Sequence, residues 1–179
     1  MEKIDIVIIG AGIAGIASAY YLQRNFPNIK FKILESRSSV GGTWDQMRFP
    51  GVRADNDMYT YGFSYYPWKG SIIGNGEEIR NYLNEVTDKF KIKKNILFNT
   101  EVKSLIWKDN KWITKTDHNK FTSQYVVCCT GSRDRKNPHL PKFKNEKIYK
   151  GKIVHTQAWG NTEFKNKNVT IVGSGCTAI

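Results

Sequence analysis

The sequence predicts an α/β fold in which helices cover a parallel sheet and a β-meander is attached to it. Near the amino terminus, two apolar strand candidates flank a helix candidate. In the middle of the chain, short strand candidates follow one another, and the opening strand-and-glycine phrase returns at residues 169–178. The chain has 179 residues, 40% of them hydrophobic, which is enough for one domain with a packed core.

The opening phrase, IDIVIIGAGIAGIASAYYLQRNF, combines a strand, a glycine-rich turn and a helix. Residues 5–9 are apolar after Asp5 and mostly β-branched, which predicts a strand buried on both faces. Residues 13–25 predict a helix whose small side chains face the sheet: Ala14, Ala17 and Ser18. A second apolar strand, FKILES, follows, and this order is typical of a Rossmann-like unit.

The turn is a GxGxxG pattern formed by Gly10, Gly12 and Gly15. The first glycine permits a tight turn, the second leaves room for a pyrophosphate, and the third lets the helix lie close to the strand. The helix start, at Ile13 and Ala14, offers backbone N–H groups to phosphates. The pattern therefore predicts a dinucleotide site.

An acidic residue, Glu35, ends the second strand twenty residues after Gly15. A carboxylate there would accept hydrogen bonds from both ribose hydroxyls and repel a 2′-phosphate, which suits FAD or NAD better than NADP. The alternative is a glycine-rich turn with an incidental acid. The complete order of strand, glycines, helix, strand and acid favours the dinucleotide interpretation.

Composition argues against several other functions. The net charge is +12, but the lysines are scattered and no zinc-finger or RNP-like motif is present, so we predict a lysine-rich surface without a specific nucleic-acid partner. Three cysteines without a CxxC pair predict no dithiol site and a reducing, cytoplasmic setting. We also expect no metal site. We expect no membrane span, because the glycines of the apolar opening phrase identify it as a strand, turn and helix.

The middle of the chain predicts one more helix and a meander. Asn75 and Glu78 form a capping pattern before an amphipathic stretch, NGEEIRNYLNEVTDKF. Its apolar face is predicted to contain Ile79, Tyr82, Leu83, Val86 and Phe90. Strand candidates follow in NILFN, EVKSLIWK, KWITKTD and QYVVCCTG, with a hairpin turn at Asp109 and Asn110. The prolines of NPHLP then predict a domain edge.

These motifs together carry a family resemblance. GAGIAG, Glu35, GGTW, PGVRADNDMYTYGFSYYPW and YKGKIVHTQAW resemble the amino-terminal part of class B flavoprotein monooxygenases, which comprise flavin-containing and Baeyer–Villiger monooxygenases. The Baeyer–Villiger fingerprint is FxGxxxHTxxW followed by Pro or Asp. Four positions match: Gly151, His155, Thr156 and Trp159. Tyr149 replaces the Phe, and Gly160 occupies the position where Pro or Asp is usual. These two departures leave Baeyer–Villiger and heteroatom oxygenation both open.

Matching positions imply roles for individual residues. The resemblance assigns the ADP half of FAD to the first glycine motif and Glu35, and the adenine to the backbone of Val102. Asp55 matches the family's active-site aspartate near flavin and nicotinamide; the alternative is that it caps a helical turn in NDMYTYG. The remaining implied cofactor residues are Gly42, Thr43, Trp44, Tyr61, Thr130 and Gly131 for FAD, and Gly173 and Gly175 for the nicotinamide cofactor.

The resemblance implies an FAD-binding domain at residues 1–141, a linker at 142–166, and the first strand and glycine turn of an NADP-binding Rossmann domain at 167–179. The full enzyme would use NADPH to reduce FAD and O₂ to oxygenate a ketone, amine or sulfide through a flavin C4a-peroxide. This chain is expected to be a truncated portion that is inactive alone. One form of this hypothesis is a split enzyme, whose carboxyl-terminal part is encoded separately. Other interpretations are a non-catalytic FAD- or nucleotide-binding fragment, a decayed gene product, or another flavoprotein reductase with two dinucleotide sites.

Overall fold

The computed structural model describes residues 1–132 and 137–178. Its α-helices are α1 (Ile13–Asn25), α2 (Thr43–Gln46), α3 (Met58–Tyr61) and α4 (Gly76–Lys89). Its strands are β1 (Glu2–Lys3), β2 (Ile6–Ile9), β3 (Phe31–Leu34), β4 (Ile96–Leu97), β5 (Val102–Lys108), β6 (Lys111–Thr116), β7 (Lys120–Ser123) and β8 (Tyr125–Cys128). Short 3₁₀ turns occur at Lys93–Asn95, Glu146–Ile148, Thr156–Ala158 and Cys176–Ala178.

The strands form two sheets. One is parallel throughout, in the order β4-β3-β2-β8, and the other has the order β1-β7-β6-β5. On strand β2, Ile6 and Ile8 pack into the larger core beneath the helices, whereas Val7 and Ile9 pack into a smaller core that also contains Phe121 of the second sheet. The predicted α/β fold and the strand buried on both faces are confirmed.

Helix α1 begins and ends where the sequence predicts. Its buried side is formed by Gly15, Ile16 and Ala19, which are neighbours on a helix with 3.6 residues per turn. The prediction that Ala14 faces the sheet is wrong, because it lies outside this arc and is exposed. Ser18 is half-buried, and its hydroxyl donates to the carbonyl of Ala14 at 2.8 Å.

Helix α4 has the predicted cap and apolar face. Asn75 Oδ1 accepts hydrogen bonds from the backbone N–H groups of Glu77 and Glu78, both at 2.9 Å. In return, Glu78 Oε2 accepts the N–H of Asn75 at 2.8 Å, which completes the capping box. The side chains buried in the larger core are Ile79, Tyr82, Leu83 and Val86, and Phe90 is partly buried against it.

The second sheet contains more strands than the sequence predicts. The hairpin turn at Asp109 and Asn110 is confirmed, with φ of 51° and 55°. Strand β7 was not predicted, because four residues of mixed polarity carry too little periodicity. It pairs antiparallel with β6 and parallel with β1, so it ties the meander to the amino terminus.

The predicted strand at residues 169–172 is wrong. No described strand pairs with this segment, and Val169, Ile171 and Val172 are 51%, 68% and 72% exposed. An apolar, β-branched run becomes a strand only when neighbouring backbone groups satisfy its hydrogen bonds.

In residues 1–132 and 137–178 we find no helix with the length and apolar character needed to cross a bilayer.

Candidate nucleotide site

The loops that follow three parallel strands meet at one edge of the sheet. The glycine loop follows β2, Glu35 follows β3, and Thr130 follows β8 by two residues. The N–H of Cys129 donates to the carbonyl of Ile9 at 2.8 Å, and the N–H of Gly10 donates to Leu34 at 2.9 Å. This carboxyl edge is where open α/β sheets bind their ligands.

The three glycines of GxGxxG differ in the space around them. A Cβ added to Gly10 would lie 2.5 Å from the carbonyl oxygen of Cys129, and one added to Gly15 would lie 2.0 Å from that of Gly10. In the part of the chain that the structure describes, a Cβ at Gly12 would meet only the backbone of Gly42, at 3.5 Å. Packing therefore requires glycine at the first and third positions but not at the second.

The amino terminus of α1 is open to an external acceptor. Among residues 1–132 and 137–178 no side chain caps it, and Gly12, the N-cap residue, has an extended backbone with φ −78° and ψ −172°. The first N–H groups of a helix have no acceptor within the helix, and they carry the positive end of its dipole. Ile13 is half-buried and Ala14 is exposed, so an anion can approach these N–H groups from solvent.

Glu35 is the most deeply buried acid at this edge, with 1% of its surface exposed. Its Oε2 accepts the N–H of Ala11 at 2.7 Å, and its Oε1 accepts the N–H of Arg37 at 2.8 Å and the hydroxyl of Ser36 at 3.2 Å. A carboxylate has about four lone-pair positions, so capacity remains for a further donor. The carboxylate thus joins the glycine loop to the loop after β3.

The GGTW segment is connected to the glycine loop. The N–H of Gly41 donates to the carbonyl of Ala11 at 3.0 Å. Gly42, with φ 57°, begins α2, which contains Thr43 and Trp44. Trp44 Nε1 donates to the hydroxyl of Tyr61 at 3.0 Å, so the structure brings together two of the side chains that the resemblance selects.

Asp45, a buried residue of α2, forms ion pairs with two partly exposed arginines. Asp45 Oδ2 accepts from Arg37 Nε and Asp45 Oδ1 accepts from Arg48 Nη2, both at 2.6 Å. Burial alone would raise the pKa of Asp45. Hydrogen bonds from Arg37 and Ser39, with the charges of Arg37 and Arg48, outweigh burial and lower this pKa below its ordinary value of 3.8.

The lowered pKa of Asp45 predicts an acid-sensitive contribution to stability. Because the folded-state pKa is below the unfolded value, the stabilisation is complete above pH 3.8 and is lost as the pH falls through the folded pKa. We expect Asp45→Asn to lower the melting temperature at pH 7, and we expect the gap from the parent chain to narrow below about pH 3.8. Melting curves between pH 3 and pH 7 measure this gap.

The control is Asp88→Asn, which removes an exposed ion pair with Lys93 and should change the melting temperature little. A gap that stays constant with pH would contradict the assignment.

Asp55 does not have the capping role that the sequence left open. The cap of α3 is Asp57, whose Oδ1 accepts the N–H of Thr60 at 2.8 Å. Asp55 lies two residues earlier and is exposed. Its segment is held in place because the N–H of Ala54 donates to the carbonyl of Gly74 at 2.8 Å.

The remaining predicted residues lie at different distances from this edge. Thr130 adjoins the glycine loop, because its N–H nitrogen is 3.6 Å from the Cβ position of Gly10, and Gly131 follows with φ 80°. Val102 begins β5, close to the loop in which the N–H of Thr100 donates to the carbonyl of Glu35 at 2.8 Å. Gly173 and Gly175 are exposed and follow a segment that joins neither sheet.

The linker motif contacts the loop after α2. His155 Nδ1 accepts the N–H of Gln157 at 3.1 Å, so this histidine caps a 3₁₀ turn. The ring of Trp159 lies 6.3 Å from the ring of Phe49 and 4.9 Å from that of Phe164. The histidine thus has a local structural role.

Sequence reasoning missed two parts of this site. Ala11 occupies a variable position of GxGxxG, yet its N–H binds Glu35 and its carbonyl binds Gly41. Backbone groups carry both contacts, so no side-chain pattern signals them. The cluster of Asp45 with Arg37 and Arg48 was also missed, although an acid between two arginines beside GGTW was an available signal.

Comparison with known proteins agrees with this geometry. The sequence profile described as pyridine nucleotide-disulphide oxidoreductase matches residues 4–179. A protein of Acinetobacter sp with the name "Probable FAD-binding monooxygenase AlmA" is 42% identical over 189 residues, which cover 100% of this chain and 38% of that protein. The chain therefore spans little more than a third of this relative.

Two solved structures share the fold. Cyclohexanone monooxygenase with bound ε-caprolactone aligns with a TM-score of 0.88 and 28% identity, covering 99% of this chain and 36% of that one. Oxidized steroid monooxygenase bound to NADP aligns with a TM-score of 0.85 and 29% identity, covering 99% and 35%. The predicted resemblance to flavoprotein monooxygenases is confirmed. Because the family profile matches almost every residue, this chain belongs to the pyridine nucleotide-disulphide oxidoreductase family.

Proposed function

We propose that this chain binds FAD at the carboxyl edge of its parallel sheet and forms the FAD-binding portion of a monooxygenase. The observation that carries the proposal is the open space over Gly12 beside the uncapped start of α1. A pyrophosphate fits such a place, because it needs close backbone approach and unpaired N–H donors. The relatives named FAD-binding or cyclohexanone monooxygenase support the choice of cofactor and reaction class.

The ADP half of FAD would lie between the glycine loop and Glu35. The N–H groups of Ile13 and Ala14 would donate to the pyrophosphate, and the remaining acceptor capacity of Glu35 would bind a ribose hydroxyl. The carboxylate would also repel a 2′-phosphate, which favours FAD over NADP at this edge. Val102, near the loop packed on Glu35, would contact the adenine.

The flavin half would lie toward α2. Gly42 and Thr43 would line its approach, and Trp44 with Tyr61 would form one wall that excludes water. Asp55, which is exposed and not needed as a cap, would be available as a charged partner for the reacting end of the cofactors. Thr130 and Gly131 would pass close to FAD from the neighbouring strand.

In a complete enzyme, bound FAD would supply hydride acceptance from NADPH and transfer of one oxygen atom of O₂ to a ketone, amine or sulfide. We assign residues 1–141 to FAD binding, 142–166 to a linker, and 167–179 to the start of the NADP-binding domain, where Gly173 and Gly175 would approach the nicotinamide dinucleotide. NADPH dependence and the cytoplasmic setting are part of this proposal. The solved relative bound to NADP supports the choice of nucleotide.

The direct test is reconstitution of the purified chain with FAD. We expect flavin absorbance to remain with the protein after gel filtration, and we expect flavin fluorescence to change on titration. NADP⁺ should compete poorly, because Glu35 opposes its 2′-phosphate. A folded chain that retains no FAD, or that prefers NADP⁺ at this edge, would contradict the proposal.

Replacing Glu35 by alanine should weaken FAD binding at least about tenfold, the scale of one lost charge-assisted hydrogen bond. Stability should also fall by about 1–3 kcal/mol, because the N–H groups of Ala11 and Arg37 lose their buried acceptor. The readout specific to the ribose role is competition, in which NADP⁺ should displace FAD more easily from Glu35→Ala than from the parent chain. Titrations well below the melting temperature measure both effects. Glu101→Ala, which removes a surface partner of Lys103, is the control.

A further inference from the structure

A pocket lies at the amino edge of the parallel sheet, at the opposite end from the glycine loop. It has a volume of about 720 Å³, within the range typical of small-molecule sites. Residues that precede three parallel strands line it, with Ile4 before β2, Lys30 before β3 and Asn95 before β4. Since the glycine loop follows β2, the length of the sheet separates this pocket from the proposed FAD site.

The floor of this amino-edge pocket is apolar and open to solvent. It is formed where α1 ends and the chain turns into β3. Phe26 caps the carboxyl end of the helix, Pro27 stops its continuation, and the N–H of Ile29 closes the turn on the carbonyl of Phe26 at 3.0 Å. Phe90, which is half-buried, extends the floor, Phe31 lies buried beneath it, and Phe26 is 57% exposed.

The rim of the pocket is strongly cationic. Its lysines come from the amino terminus, the start of β3 and the segment after α4: Lys3, Lys30, Lys32, Lys91 and Lys94. Glu2 is the carboxylate that also lines it. In residues 1–132 and 137–178 none of these five lysines forms an ion pair. With five lysines and one carboxylate among its lining residues, the rim has a surplus of positive charge.

The placement of these lysines is determined by the backbone. The N–H of Lys30 donates to Asp5 Oδ2 at 2.8 Å, which fixes the entry to β3. Lys91 has φ 53° and its N–H donates to the carbonyl of Asp88 at 3.0 Å, which turns the chain sharply after α4. Lys94 follows within a 3₁₀ turn. Lysines after a helix also offset the negative end of its dipole, and the experiment below separates that role from ligand binding.

We propose that this pocket binds an amphiphilic anion, with an aliphatic tail on the phenylalanine floor and one carboxylate among the lysines. Lysine ammonium groups are mobile point charges and suit a single compact head group. Burial of a hydrocarbon chain on the apolar floor is favourable, because it removes apolar surface from water. Neither part of the pocket requires the nucleotide site, so the two ligands should bind independently.

The test is calorimetric titration of the chain with decanoate below its micelle concentration, with acetate and decanol as the separate head and tail. We expect one decanoate per chain, bound at least about tenfold more tightly than either part. Binding should weaken with added salt. Decanol that binds as tightly as decanoate would overturn the charged rim, and acetate that does so would overturn the apolar floor.

Two double variants of equal charge locate the site. Lys30→Gln with Lys94→Gln should weaken decanoate binding at least about fivefold, whereas Lys108→Gln with Lys111→Gln, at the distant β5–β6 hairpin, should leave it unchanged. Phe26→Ser, at an exposed position, should also weaken it. Circular dichroism spectra of each variant check that it is folded. Equal losses in both double variants, or decanoate binding that disappears when FAD is added, would overturn the proposal.

Discussion

Replacing Gly12 by valine is expected to abolish FAD retention while leaving the folded chain about as stable as before. The Cβ position of Gly12 is 3.5 Å from Gly42 and meets no other described group within 4 Å, so the protein itself tolerates a side chain there. The backbone of Gly12, with φ −78°, is one that any residue adopts. The valine would instead fill the space proposed for the pyrophosphate.

We expect FAD affinity to fall at least about tenfold in Gly12→Val and to a smaller extent in Gly12→Ala. The melting temperature should change little in Gly12→Ala, because the reduced entropy of the unfolded chain, which contributes about 0.4–1 kcal/mol, offsets the poorer capping of α1 by alanine. FAD titration and thermal melts of the apo chain measure the two effects separately. If both variants bound FAD like the parent chain, the open space over Gly12 would not be the phosphate site.

Gly15 is expected to behave in the opposite way, and Gly15→Ala should destabilise the apo chain by about 3 kcal/mol or more. A Cβ there would lie 2.0 Å from the carbonyl oxygen of Gly10, far inside contact distance, and the helix would have to move off the loop. Moving it would also disturb Ile16 and Ala19, which are fully buried. Chemical denaturation without any ligand measures this loss.

The matched control for Gly15→Ala is Gly12→Ala, in the same loop and with the same added methyl group. A similar loss in both variants would mean that the loop responds to any substitution, which would contradict the distinction drawn from their surroundings. A stable Gly15→Ala chain would mean that α1 is not held against Gly10 in solution. The two glycines thus divide one sequence motif into a binding position and a packing position.

The sequence by itself determined the local elements. Helix α1 appears at residues 13–25 because a glycine turn precedes a run of good helix formers, and the capping box of Asn75 and Glu78 is visible in four residues. The strand candidates that became β5 and β6, and the turn at Asp109 between them, depend only on neighbouring residues. The resemblance to flavoprotein monooxygenases also rests on contiguous motifs.

Tertiary structure decided which of these motifs are used and how. Gly12 and Gly15 have equal weight in the pattern, but only the positions of Gly42 and Gly10 show which one packing requires. Strand β7 exists because β1 and β6 supply backbone partners, whereas residues 169–172 have a stronger strand pattern and no described partner. Asp57 caps α3, although the sequence left that role open for Asp55. In each case the deciding interaction joins residues distant in sequence or depends on backbone geometry, and side-chain periodicity contains neither.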